Sequence, residues 1–149
     1  MLKLAREFND VEPLRISTEK TDFTGRNIAV LGFPQQDHRI NTKVFAALIG
    51  ENSGRYHRMF GKILKTEATT SGTRLTYDAF TAAGVGGGPV IDLQTGKVIA
   101  IHRSGRILGE IAKLGQGLSL EKVIESPRMK ERLAKSLRAQ PTPLSLGLE

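Results

Sequence analysis

Cysteine is absent from the 149 residues, which excludes disulfide bridges, a thiolate nucleophile and any cysteine–zinc site. Tryptophan is absent too. The six Phe and two Tyr do not alternate with basic residues as a base-stacking platform requires. No apolar run comes near the ~20 residues that span a bilayer, so no membrane partner is expected. Residues Met1 to Glu7 lack the apolar stretch of a signal peptide, which makes a cytoplasmic location the default expectation. The three His show no metal-ligand spacing, and neither metal nor cofactor is expected.

What is present is a moderately apolar chain, 39% hydrophobic and 25% charged, of a length that suits one core. The net charge of +7 invites a nucleic-acid partner. Much of that charge has a plainer source. Residues 120–139 carry Lys122, Arg128, Lys130, Arg132, Lys135 and Arg138 against Glu121, Glu125 and Glu131, the composition of a solvated helix face. Nucleic acid is therefore not the expected partner.

Hydrophobic patterning predicts strands. Asn27–Phe33 is a short β-branched run closed by Pro34, and His57–Thr66 and Thr73–Phe80 alternate with period two. The segments 89–93 and 97–102 form a hairpin around Gln94-Thr95-Gly96. Lys43–Gly50 fits a helix or a strand equally. After a stretch punctuated by Gly105, Gly109, Gly115 and Gly117, the chain turns helical from Leu118, and Ser126-Pro127 restarts the helix with a capping residue. Several short strands followed by a helical end predict an all-β barrel or sandwich with a C-terminal α-helix.

One run stands out. Gly84-Val85-Gly86-Gly87-Gly88-Pro89 has no Lys-Ser/Thr for a phosphate loop and no third glycine for a dinucleotide fingerprint. Glycines this dense let backbone amides approach an anion, although a tight connection between two strands accounts for them equally.

The flanks of this run carry a resemblance. Tyr77-Asp78, Thr81, the glycine loop, Pro89-Val90-Ile91-Asp92 and the hairpin ending Val98-Ile99-Ala100-Ile101-His102 resemble the active-site strand pair of bacterial trypsin-like serine peptidases, closest to the glutamyl-endopeptidase branch. Gly25–Pro34 upstream and Gly117-Leu118-Ser119-Leu120 downstream are similar to the same family. The resemblance implies an antiparallel six-stranded β-barrel of the chymotrypsin fold. By it, residues 1–26 are an entry segment from a missing or preceding N-terminal barrel and 27–119 the C-terminal barrel. Residues 120–139 are a terminal helix and 140–149 a flexible tail.

In that family a serine three residues before the proline attacks the scissile carbonyl, aided by a histidine base and its aspartate. Here that position is Gly86, and Val85 replaces the family's Asn or Asp. The backbone N–H groups of Gly84 and Gly86 match the oxyanion hole. Thr81 and His102 match the pair that receives an acidic substrate side chain. His38 and His57 lack the family's base motif and are expected at the surface, and Arg103 is expected to face away from His102 by strand alternation. The resemblance thus implies a hydrolase relative without its nucleophile, a pseudoenzyme that binds a peptide, a protein segment or another domain. Two other readings stand beside it. One is a piece of an active serine endopeptidase cleaving after acidic residues, and the other a basic β-barrel that grips anionic polymers. A barrel face left by a missing domain is also expected to favour a homo-oligomer.

Overall fold

In the computed structural model, residues 12–50, 53–70, 72–108 and 112–131 are described. Two three-stranded meanders make the barrel. The first comprises β1 (Asn27–Gly32), β2 (His57–Thr69) and β3 (Gly72–Tyr77), and the second β4 (Pro89–Asp92), β5 (Val98–Leu108) and β6 (Ala112–Ser119). Every neighbouring pair is antiparallel, and the ring closes in the order β1-β2-β3-β6-β5-β4. The meanders meet along two seams, Ile28 opposite Asp92 on one and Arg74 opposite Leu118 on the other.

Side-chain alternation fills the ring. Met59 and Ile63 of β2 and Leu75 and Tyr77 of β3 point inward, where they join Ile28, Val30, Val90 and Ile99. Each such aliphatic side chain contributes about 1.5–3 kcal/mol on burial. The segment 43–50 resolves as a helix, α1 (Thr42–Ile49): Asn41 caps it by accepting from the Lys43 N–H, and Phe45 and Ile49, four apart, bury one face. Gly50, with φ of 76°, ends it, its N–H donating to Ala46 O at 2.8 Å.

The hairpin between β4 and β5 is tied by a buried ion pair. Asp92, fully buried, accepts from Arg26 Nη1 at 2.8 Å, Thr95 Oγ1 at 2.9 Å and the Gln94 N–H at 3.1 Å. Before β1, the chain runs beside β5, with Ser17 N donating to Val98 O and Val98 N to Arg15 O, both at 2.8 Å.

The glycine-punctuated stretch departs from the sequence pattern: it is the second half of β5 and all of β6. Glycine weakens strand propensity, but Gly115 and Gly117 make room for the Tyr77 ring. A Cβ at Gly115 would lie 2.2 Å from Tyr77 Cε2. Leu118 and Ser119 are accordingly strand residues, and the helical end begins later, with α2 (Glu121–Glu125) and a further helical turn over 127–131. Ser126 Oγ accepts from the Met129 N–H at 3.4 Å at the start of that turn. The expected helix beyond 131, the tail 140–149 and the first eleven residues lie outside the described residues.

Candidate functional site

The Gly84–Gly88 loop joins the two meanders, and both anchor it. Gln35 N donates to Ala83 O at 2.8 Å from the first. From the second, Gly87 N donates to His102 O and His102 N to Gly88 O, both at 2.8 Å. Its glycines are not equivalent. Gly84 has φ of +83°, and a Cβ there would lie 2.5 Å from Phe33 O; Gly87 has φ of +85°. A Cβ at Gly88 would lie 2.1 Å from Leu31 O. Gly86 alone of the four has neither a positive φ nor an atom within 4 Å of a Cβ. Backbone geometry therefore requires glycine at 84, 87 and 88 and makes no such demand at 86. Val85 is buried against Gly32, and the N–H groups of Gly84 and Gly86 have no acceptor among the described residues.

His102 sits within β5 at a register shift between His102 and Ser104, not at a strand end. Arg103 is exposed while His102 is buried, the outward turn that alternation along the strand leads one to expect. Both residues line one cavity of about 400 Å³, with Gly86, Gly87, Leu118 and Ser119 among its walls. The imidazole is buried, and its Nδ1 lies 2.6 Å from the Tyr77 hydroxyl. Burial pushes the Tyr77 pKa well above the ordinary phenol value, so the phenol keeps its proton. The bond runs from the phenol to Nδ1 in one imidazole tautomer and from Nδ1–H to the phenol oxygen in the other, and either way it fixes the ring.

Tyr77 is the residue that sequence reasoning missed. Its signal was legible: period-two alternation turns it inward with Leu75, and the paired glycines of β6 are the gap its ring fills.

Thr81 is fully buried, and its Oγ1 has no hydrogen-bond partner among the described residues. It is not among the residues lining the His102 cavity. On the other side of the loop a second cavity, about 380 Å³, is lined by Leu14, Phe33, Tyr56 and the segment Gly84–Gly86, so Gly86 borders both spaces. His38 is 92% exposed, 3.9 Å from Asp37. His57 begins β2, away from the loop in sequence and only partly buried. Among the described residues no three His, Asp or Glu gather to hold a metal.

The site thus sets the Gly86 backbone and an oriented imidazole on one cavity, with no side chain at position 86, and leaves the Thr81 hydroxyl buried behind it. Two comparisons bear on it. Residues 1–101 match the family model of the trypsin-like peptidase domain, a span that includes the whole glycine loop and stops one residue short of His102. No curated protein matches the chain.

Proposed function

Because this chain belongs to the trypsin-like peptidase domain family, we propose that it binds a peptide segment bearing an acidic side chain and does not cleave it. The observation that carries this reading is the shared wall of Gly86 and His102. Gly86 stands where the family's serine would stand, the one glycine of the loop whose geometry does not need glycine, beside a cavity large enough for a side chain. Without a side chain at 86 no acyl-enzyme forms, and unengaged N–H groups at Gly84 and Gly86 retain affinity for a carbonyl or carboxylate oxygen.

Specificity falls to His102 and Arg103, which share the cavity wall. The imidazole is held through Nδ1 by the Tyr77 hydroxyl. A neutral polar group binds a carboxamide as well as a carboxylate. Arg103 on the same cavity wall tips the balance toward the carboxylate. Calorimetric titration with peptides ending in Glu, Gln and Leu tests this, and the expected order is Glu, then Gln, then Leu. Replacing His102 by Ala should weaken the Glu peptide by about 1.5–3 kcal/mol. Equal affinities for all three peptides, or turnover of casein or activated esters that titrates with the protein, would overturn the reading.

A further inference from the structure

A polar cavity of about 550 Å³ opens where β3, β6 and β5 lie side by side. Arg74 pairs with Leu118 and Gln116 with Ser104 in the register, so these four side chains share the outer face of the barrel. Arg103 joins them from the register shift, and all five line the cavity. Its charge is only partly compensated. Arg74 Nε lies 3.7 Å from Glu67 Oε2, but the other oxygen of Glu67 is held by Lys65 Nζ at 2.6 Å. One carboxylate thus serves two cations. Arg103 has no acidic partner among the described residues, and neither Asp nor Glu lines the cavity. Two forked guanidinium groups flanked by a hydroxyl and a carboxamide suit carboxylate ligands.

We propose that this cavity binds acidic side chains of an extended polypeptide segment. Among the described residues no aromatic side chain lines it, so they offer no stacking surface of the kind by which single-stranded nucleic acid is held. Arg103 and Leu118 also line the His102 cavity. One extended strand, advancing about 3.3 Å per residue, therefore reaches both spaces; this continuity, unlike the arginine site itself, rests on the peptide-binding reading above.

The test is titration of the full chain at low salt with an acetylated oligoglutamate, with oligoglutamine and a short DNA duplex as parallel arms. Arg103→Gln and Arg74→Gln should each weaken oligoglutamate about fivefold, and the double variant about twentyfold. Both side chains are exposed, so the variants should keep the parent's thermal midpoint. Arg103→Glu should abolish the preference for oligoglutamate over oligoglutamine. The arginine effect is measured again in a His102→Ala background. If it persists there, the arginine site holds even where the His102 pocket fails. Single and double variants all within twofold of the parent would overturn the proposal. So would DNA binding that is tighter than oligoglutamate binding and more sensitive to the same substitutions.

Discussion

Asp92 and Thr81 are both fully buried polar side chains, yet their surroundings differ completely. Asp92, at the far end of β4, accepts three hydrogen bonds, one from a guanidinium that also lies 5.0 Å from the Phe23 ring. Thr81, in the segment leading to the near end of β4, has no partner for its hydroxyl among the described residues. An unsatisfied buried hydroxyl costs about 1–3 kcal/mol. The barrel bears that cost beside the glycine loop and avoids it at the hairpin. The difference separates a region whose buried polar groups are satisfied from one that leaves a buried donor unmatched.

Of changes to these two polar groups, breaking the satisfied one should have the larger effect. Arg26→Met strands the Asp92 carboxylate and should cost about 3 kcal/mol in urea unfolding, because a buried charge loses its partner. Tyr77→Phe removes the hydrogen bond to His102 Nδ1 and should cost about 1–2 kcal/mol. It should also flatten the preference for Glu over Leu peptides, since the imidazole loses its anchor. Thr81→Val sharpens the contrast with the opposite sign: removing the orphan hydroxyl should raise stability by about 1 kcal/mol. Gly86→Ala should change stability by less than about 0.5 kcal/mol, whereas Gly88→Ala should prevent folding.

The smallest expected effect lies outside both regions. Lys20 holds the Glu125 carboxyl, and Lys65 the Glu67 carboxyl, below the usual carboxylate range. Their contribution is therefore complete above the unfolded-state value and is lost as pH falls through the depressed one. Thermal midpoints should decline modestly between pH 5 and pH 3, less so in high salt.

The alternating strands were legible because their apolar residues repeat with period two, as at Met59 and Ile63 or Leu75 and Tyr77. β6 was not, because Gly115 and Gly117 serve the Tyr77 ring and carry no apolar signal of their own. The glycine loop announced itself by composition, but not which glycines were obligatory; that depends on Leu31 O and Phe33 O, brought in from β1 and the residue after it. His102 and Thr81 could be named from sequence. The bond from Tyr77, and the cavity that His102 and Arg103 share, arise only when β3, β5 and β6 pair.

The way the loop is anchored also sets an order in time. Its bond to Gln35 comes from the first meander and its bonds to His102 from the second, so neither half can shape it alone. The seams between the halves join residues far apart in the chain, and such pairings form late. A nascent or partly opened barrel therefore lacks the shaped loop, whose appearance reports that the ring has closed.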